Sequence, residues 1–472
     1  MLPVSYNVAI IAFARVVLGG ISLVIIGLMT RALGASGFGE YSTVFAYLAM
    51  FITIADMGLY SLLVREVSRP NADEKTITGS LVTLRIILAV GIAVVACAAA
   101  YFFPYPRAVK LAISVAALYA VFSSITQILT GVFQKYLKTY FISIADVAAR
   151  LIQLGFVFLL VRTGNATLMP FIWVMVVSEA IHMLIVFMFS RKIIRFNFNF
   201  NFDVFIKWVR VSFPIAVSLV FVYIYFKMDT VILSLMKPAG DVGIYSVAYK
   251  ILELVIFLPA VYMNLVMPVL SRHAADKPEF MANFSKAFRV LAIISMPAAA
   301  YFYVLANPII AIIGGPGFSA SVGVLRILTL AIFLIFFGNL GGNSLIALNL
   351  QKKAMWIYAA GAVINLAANI IFIPRFSYVA AAWTTVATEL FVTVAMFALL
   401  KSSADIRASA GNFIRPLIAT CLMILIVYPL RNNFILGTLA AVSYLPIMYF
   451  IGGLTKKDLS EVFSAKIKNG AV

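Results

Sequence analysis

The chain has 472 residues, of which 64% are hydrophobic and only 11% are charged, and its mean hydropathy is +1.07. No soluble domain could bury so large an apolar fraction, so this composition excludes a soluble globular protein and indicates an integral membrane protein. The net charge of +19 would suggest nucleic-acid binding in a soluble protein, but in a membrane protein the positions of the basic residues decide their role. The two cysteines, Cys97 and Cys421, are in different apolar segments, so we expect no disulfide, metal site or cofactor.

Fourteen long apolar segments are predicted to cross the membrane as α-helices. They are near-continuous in hydropathy, whereas the strands of a membrane barrel alternate over about ten residues. Each can cross a hydrocarbon core of about 30 Å at about 1.5 Å per residue. The segments are 7–29, 41–63, 80–103, 109–131, 140–161, 167–189, 212–235, 244–269, 288–306, 322–346, 355–373, 378–400, 413–430 and 434–452. The predicted fold is therefore an all-α integral membrane protein with about 14 transmembrane helices.

The basic residues of the connecting loops predict the orientation in the cytoplasmic membrane. With the N-terminus inside, the inner loops and the tail hold 21 Lys and Arg residues, whereas the outer loops hold seven. Cytoplasmic loops carry an excess of Lys and Arg, so both termini are predicted to be cytoplasmic. Most of the net positive charge is thereby explained by topology, although a basic inner surface could also hold anionic lipids or a partner enzyme.

The two halves of the chain share an internal repeat at an offset of 204–210 residues. The equivalent pairs are Gly39 with Gly243, Tyr41 with Tyr245, Arg85 with Arg289, and Glu179 with Glu389. Six helices per unit is an even number, so the units have the same orientation, as in the parallel repeats of some transporters. The predicted organisation is an N-terminal six-helix bundle at 1–189, a cytoplasmic interfacial linker at 190–211 and a C-terminal six-helix bundle at 212–400. Two extra transmembrane helices and a basic cytoplasmic tail follow at 401–472.

The linker is basic and aromatic, which is typical of a segment at the membrane interface. Four phenylalanines alternate in it with three asparagines, in the run FNFNFNF from Phe196 to Phe202. Such alternation also fits a short strand, but a lone strand has no evident partner here.

Charged residues inside the apolar segments are the candidate functional residues. Each costs about 2.5–3.5 kcal/mol on insertion, so such residues usually face a cavity or a charged partner. The candidates for substrate binding are Arg15, Arg150, Lys227, Lys250 and Arg326. The candidates for ion coupling or charge pairing are Asp56, Asp146, Glu179, Asp229, Glu253 and Glu389.

Two pairs of these residues are close enough in sequence to interact on one helix face. Asp146 and Arg150 are four residues apart, and Lys250 and Glu253 are three apart. For both pairs, mutual neutralisation and a functional role are equally compatible with the sequence.

Arg15 and Arg326 are the strongest candidates, because both are placed within a turn or two of mid-span with no acid three or four residues away. Asp56 and Glu179 are acidic counterparts that could pair with them. Arg85 is near the inner end of its helix, so its side chain is expected to reach the interface.

Lys227 and Asp229 are only two residues apart and cannot meet on a regular helix, so each needs a partner elsewhere. His182, one turn beyond Glu179, is expected to be a packing or hydrogen-bonding residue rather than a proton relay. Four tyrosines could stack on sugar rings, although tyrosines in membrane helices more often pack: Tyr223, Tyr225, Tyr245 and Tyr249.

Four segments resemble a known family: LMTRALGASGFGEYSTVFAYL, IADMGLYSLLVRE, KMDTVILS and VGIYSVAYKILE. They are similar to the oligosaccharide flippases of the polysaccharide-transporter branch of the multidrug/oligosaccharidyl-lipid/polysaccharide exporter superfamily. The resemblance implies a V-shaped pair of six-helix bundles around a central cavity. The implied activity is flipping of undecaprenyl-diphosphate-linked sugar repeat units, such as O-antigen units, from the inner to the outer leaflet by alternating access.

A cationic pathway suits this activity. The apolar segments hold eight basic and six acidic residues, and arginine binds phosphate through two parallel hydrogen bonds. The implied partners are a lipid-diphosphate-linked oligosaccharide, membrane lipids and polysaccharide-assembly enzymes, with no nucleic acid. Proton exchange, sodium exchange and the membrane potential are all compatible driving forces.

Three other functions fit the sequence less well or differ in substrate. A drug exporter of the same superfamily would be expected to have a carboxylate in the first span, where this chain has Arg15. A lipid II flippase would differ in substrate only. An enzyme acting on lipid-linked glycans would need a catalytic loop, but the longest outer connection, 306–321, contains no acid, base or histidine. The sequence therefore favours a transporter over an enzyme.

Overall fold

The computed structural model describes residues 4–136, 138, 140–164, 166–200, 202–406 and 411–453, and within these residues every regular element is helical. The helices of the first half are α1 Val4–Asp56, α2 Leu59–Val67, α3 Glu74–Ala100, α4 Arg107–Lys135, α5 Tyr140–Arg162, α6 Leu168–Ile193, α7 Phe202–Met236 and α8 Ala239–Arg272. They are followed by α9 Lys277–Val304, α10 Ala306–Ile313, α11 Ser321–Ala347, α12 Gln351–Ala404, α13 Gly411–Val427, α14 Phe434–Ala441 and α15 Tyr444–Phe450.

The helices account for the predicted membrane crossings. Ten helices of the described chain are long and apolar enough to span a bilayer, and two of these exceed 50 residues. At about 1.5 Å per residue, each of those two is long enough for two crossings of a core of about 30 Å. Left-handed backbone divides α1 at Gly34 and α12 at Ser377. With α7 and the shorter α14–α15 pair added, the helices of the described chain match the fourteen predicted crossings in number, and the all-α prediction is confirmed.

The chain divides into two compact units, Met1–Gly243 and Ile244–Val472. Helix α7 belongs to the first unit, whereas the sequence predicts that the second bundle begins at residue 212. The two-bundle organisation with that boundary stays a prediction. The predicted basic tail after residue 453 lies outside the described residues.

Close packing in the first unit depends on small side chains. Lipid tails are as apolar as leucine, so helices in a membrane associate through van der Waals packing, often at small residues. Ala96 of α3 and Ala112 and Ala116 of α4 are fully buried in one apolar cluster with Tyr47 of α1. The Tyr47 hydroxyl donates to the Ala96 carbonyl oxygen at 2.7 Å, which joins α1 to α3.

Two glycines of the internal repeat allow an even closer approach within the first unit. A Cβ atom on Gly39 of α1 would lie 1.7 Å from the carbonyl oxygen of Ala239 in α8. A Cβ atom on Gly243 would lie 2.0 Å from the carbonyl oxygen of Ala35. Any larger residue would collide with backbone at either position, so this helix crossing requires glycine on both sides.

The predicted linker comprises the end of α6, an extended segment at 194–200 and the start of α7. The extended segment lies against α3, where the Asn199 amide donates to the Thr83 hydroxyl at 3.2 Å. Phe196 is buried, whereas Phe198 and Phe200 are 60% and 63% exposed. The alternation therefore separates a face that packs on the protein from a face that is open to the surroundings.

In the second unit, α11 is the central helix and packs against α9 and α12. Leu325, Leu328, Leu340 and Leu345 of α11 are all fully buried. Aromatic contacts extend this core to α9, where the rings of Phe288 and Phe337 are 4.9 Å apart.

Candidate functional site

A cluster of ionisable side chains lies between α5 and α6 in the first unit. Nε2 of His182 is 3.1 Å from Oδ1 of Asp146, and Nδ1 is 3.4 Å from Oε1 of Glu179. The Nε2 contact is close but is not aligned as a hydrogen bond. The three side chains are only 13–27% exposed. The structure thus brings two of the predicted carboxylates together around one imidazole.

Arg150 lies one turn beyond Asp146 on α5, but the described structure contains no ion pair between them. The guanidinium instead donates to Oε1 of Gln153 at 2.7 Å. Of the two side chains that share this helix face, Asp146 thus has His182 of α6 as its partner, and Arg150 has Gln153.

Aromatic side chains from α1 and α4 adjoin this group. Tyr119 is within electrostatic range of both Arg150 and Glu179, and Tyr41 is within range of Arg150. Phe45 links the two tyrosines, with ring centroids 4.7 Å from Tyr41 and 5.1 Å from Tyr119. We call Tyr41, Tyr119, Asp146, Arg150, Glu179 and His182 the first-unit cluster.

The first-unit cluster has the chemistry of a proton acceptor. A neutral imidazole has one N–H and can donate to only one carboxylate, whereas an imidazolium has an N–H towards each. Protonation of His182 would therefore match both ring nitrogens to Asp146 and Glu179. Arg150 supplies a fixed positive charge beside them, and its guanidinium has five N–H groups, of which Gln153 accepts one.

A second buried charge pair joins the end of α1 to α3. Nη1 of Arg85 is 2.9 Å from Oδ1 of Asp56, and the Arg85 side chain is fully buried. Its Nε donates to the Ser124 carbonyl oxygen at 3.2 Å, and its Nη2 donates to Oε1 of Gln127 at 2.6 Å. Arg85 therefore does not extend to the interface as expected, because α4 and Asp56 surround its guanidinium.

The remaining predicted residues of the first unit lie on α1 and α7, where Lys227 and Asp229 are within electrostatic range of each other. Arg15 is exposed in the first half of α1. Asp229 is buried, and its Oδ1 accepts from the Thr230 amide at 2.7 Å. Lys227 is half-buried on the same helix.

In the second unit, Lys250 and Glu253 form the predicted local ion pair, with Nζ 2.8 Å from Oε2. Arg326 does not lie near mid-span: it is the sixth of the 27 residues of α11. Its Nε donates to the Tyr303 carbonyl oxygen at 3.4 Å, and its guanidinium lies 5.6 Å from the Tyr303 ring centroid. Glu389 is buried and faces Gly338 of α11.

Three of the four tyrosines predicted to stack on sugars are buried, and the side chain of the fourth, Tyr225, is outside the described part of the structure. Tyr245 and Tyr249 are 0% and 5% exposed, with ring centroids 5.4 Å apart. The Tyr223 hydroxyl donates to the Ala46 carbonyl oxygen at 2.5 Å. All three therefore act as packing residues here.

The contacts of Arg85 and His182 were not predicted from the sequence, and neither were the two amide partners, Gln127 of Arg85 and Gln153 of Arg150. The i, i+3 spacing of Glu179 and His182 was the available signal for the histidine. No sequence signal identified Gln127, because it approaches Arg85 from a different helix.

Comparisons with known proteins support the predicted fold and the predicted protein family. A sequence model of the family described as "Polysaccharide biosynthesis protein" matches residues 4–274, and one described as "MatE" matches residues 214–371. Over 350 residues the chain is 23% identical to the lipopolysaccharide biosynthesis protein WzxC of Escherichia coli (strain K12), covering 71% of this chain and 68% of WzxC.

Solved structures share the fold at low sequence identity. The lipid II flippase MurJ in an inward closed conformation has a TM-score of 0.76 at 15% identity, covering 96% of this chain and 99% of MurJ. An inward-facing multidrug resistance MATE family transporter of the MOP superfamily has a TM-score of 0.67 at 14% identity, covering 83% of this chain and 94% of that one. These likenesses show that the chain shares its fold with a flippase and with a multidrug transporter.

Proposed function

The chain belongs to the polysaccharide biosynthesis protein family, whose sequence model covers more than half of its length, and from this premise we propose that it is a flippase for lipid-linked oligosaccharides. Its substrate is an undecaprenyl-diphosphate-linked oligosaccharide, which moves from the cytoplasmic to the outer leaflet of the inner membrane. The family match carries the proposal, and the similarity to WzxC supports it.

The chemistry of the substrate explains the need for buried charge. A diphosphate cannot cross about 30 Å of hydrocarbon unless cationic groups replace its hydration, whereas the isoprenoid tail can stay in the lipid. Arginine binds phosphate through two parallel hydrogen bonds, and lysine binds it as a point charge. Arg15, Arg150, Lys227, Lys250 and Arg326 are the proposed phosphate contacts.

The carboxylates are the proposed coupling groups. In the first-unit cluster, Asp146 and Glu179 flank His182 at 3.1 Å and 3.4 Å, so proton uptake there would change the charge beside Arg150. Proton uptake adds positive charge beside Arg150 and would strengthen the attraction of this site for phosphate. Proton release would weaken that attraction in the other state of the transport cycle. Asp56, Asp229, Glu253 and Glu389 are further charge partners.

The test is translocation by the purified chain in vesicles. An undecaprenyl-diphosphate oligosaccharide is placed in one leaflet, and its appearance in the other is measured with a glycosidase that cannot enter the vesicle. Loss of a charged hydrogen bond costs about 1.5–3 kcal/mol, so Arg150→Gln should slow transport about tenfold or more. Arg162→Gln is the matched control, because Arg162 is exposed at the far end of the same helix.

Parallel vesicles distinguish the alternatives. If lipid II moves and the oligosaccharide lipid does not, the chain is a lipid II flippase, as the likeness to the fold of MurJ suggests. Ion-driven movement of a cationic dye alone would identify a drug exporter and refute the proposed flippase. Wild-type rates in Arg15→Ala and Arg326→Ala would remove these two residues from the mechanism.

A further inference from the structure

A polar cavity in the second unit lies apart from the residues assigned above. It has a volume of about 310 Å³ and is lined by Ser285, Lys286, Arg289 and Asn412. Cavities of roughly 300–1,000 Å³ hold small ligands, so this one is large enough for a compact polar group. Each lining residue can donate a hydrogen bond and two are cationic, which favours an anion with several acceptor oxygens.

Two helices build the cavity and are fixed to each other at this point. Ser285 and Arg289 are one turn apart on the same face of α9. Asn412 is the second residue of α13, and Nδ2 of its side chain donates to the Ser285 carbonyl oxygen at 3.3 Å. This hydrogen bond ties the beginning of α13 to α9.

Aromatic contacts with α11 support both walls. Phe288, next to Arg289, lies 4.9 Å from Phe337, and Phe413, next to Asn412, lies 5.9 Å from Phe333. The polar side chains therefore extend from helices that are already held in place, as a preorganised site requires.

The predicted membrane spans place the cavity at the level of lipid headgroups. The sequence predicts that two membrane spans begin at residues 288 and 413, and the cavity residues are within three positions of these starts. Lys286 is exposed, so the cavity opens to the surroundings. A ligand there would have its anionic head between the helix ends and its tail in the bilayer.

We propose that the cavity between α9 and α13 binds the phosphate group of a lipid in the inner leaflet. The phosphate would accept hydrogen bonds from Arg289 and Ser285 and would be attracted by Lys286. Two lipids present this chemistry at that depth: an anionic phospholipid and a polyprenyl diphosphate carrier. Only the second depends on the proposed function, and it would make the cavity a capture site for the substrate.

The experiment measures lipid binding to the purified full chain by native mass spectrometry. Phosphatidylglycerol and undecaprenyl diphosphate are titrated in separate arms, and inorganic phosphate is added as a competitor in a third. Near a membrane surface each Lys or Arg is worth about 1 kcal/mol, or about fivefold in affinity. Lys286→Gln should therefore weaken binding about fivefold, and Lys286→Gln with Arg289→Gln about 25-fold.

The matched control is Lys352→Gln with Lys353→Gln, which removes two exposed charges from the same unit and the same predicted membrane side. This control should keep its affinity within about twofold. The lipid that binds more weakly to the cavity variants than to the wild type is the occupant of the cavity. If inorganic phosphate displaces the lipid at equal concentration, the occupant is free phosphate instead. Unchanged affinity for both lipids, or an equal loss in the control, would overturn the proposal.

Two further measurements keep the result independent of folding and of transport. Lys286 is exposed, so Lys286→Gln should retain the thermal unfolding midpoint of the wild type. Translocation is measured separately in vesicles: loss of phosphatidylglycerol binding with intact transport would support the cavity as a phospholipid site and leave the flippase proposal unaffected. Intact binding without transport by the wild type would refute the flippase proposal alone.

Discussion

The buried pair of Asp56 and Arg85 offers a quantitative test of how charge is held inside this protein. Asp56→Ala would leave the Arg85 guanidinium fully buried, with only the neutral acceptors Ser124 and Gln127 at 3.2 Å and 2.6 Å. Breaking one side of a buried ion pair costs about 3–5 kcal/mol, because the other charge is left uncompensated. We expect a loss of this size in the free energy of unfolding.

The double variant Asp56→Leu, Arg85→Met separates the attraction between the two charges from the free-energy cost of removing them from water. Replacing both members of a buried pair with apolar residues is often close to neutral, so the double variant should be more stable than Asp56→Ala. The cycle should be completed with Asp56→Leu and Arg85→Met singly, and a coupling energy of at least about 2 kcal/mol is expected. The assay is unfolding in mixed micelles with an increasing fraction of denaturing detergent, followed by circular dichroism.

An exposed pair at a similar distance provides the control. Lys277 and Asp405 are 3.1 Å apart, but their side chains are 58% and 54% exposed. Exposed pairs contribute less than about 1 kcal/mol, so Lys277→Gln and Asp405→Asn should have small, additive effects. Asparagine suits position 405, where the backbone is left-handed. Additive effects at Asp56 and Arg85 as well would refute the account of a coupled buried pair.

Two further predictions follow from the first unit. Gly39→Ala places a methyl group 1.7 Å from the Ala239 carbonyl oxygen, so the thermal unfolding midpoint of this variant should fall. The control is Gly155→Ala, which has nothing within 4 Å of the added methyl group and should stabilise its helix by about 0.5–1 kcal/mol. Equal effects of the two substitutions would contradict the close crossing. His182→Gln should reduce the dependence of translocation on pH, because the variant removes the imidazole that Asp146 and Glu179 flank at 3.1 Å and 3.4 Å. An unchanged pH dependence would remove the imidazole beside Asp146 from coupling.

Much of the architecture could be predicted from the sequence, because hydropathy is a property of each segment by itself. A run of about 20 apolar residues must cross the membrane as a helix, since lipid offers no partners to its backbone groups. Local spacing was also sufficient for the Lys250–Glu253 pair, because residues three apart on a helix are always neighbours. The two glycines of the repeat, Gly39 and Gly243, could be recognised as equivalent positions, although their close approach could not be predicted.

Only the tertiary structure decided which charges meet. Asp146 has Arg150 on its own helix face but contacts His182 of α6, and Arg85 is enclosed by Asp56 of α1 and by α4. Such pairings depend on the rotation and depth of neighbouring helices, and a sequence specifies neither directly. Composition and periodicity thus determine that helices form and cross the membrane, whereas packing determines which buried charges neutralise one another.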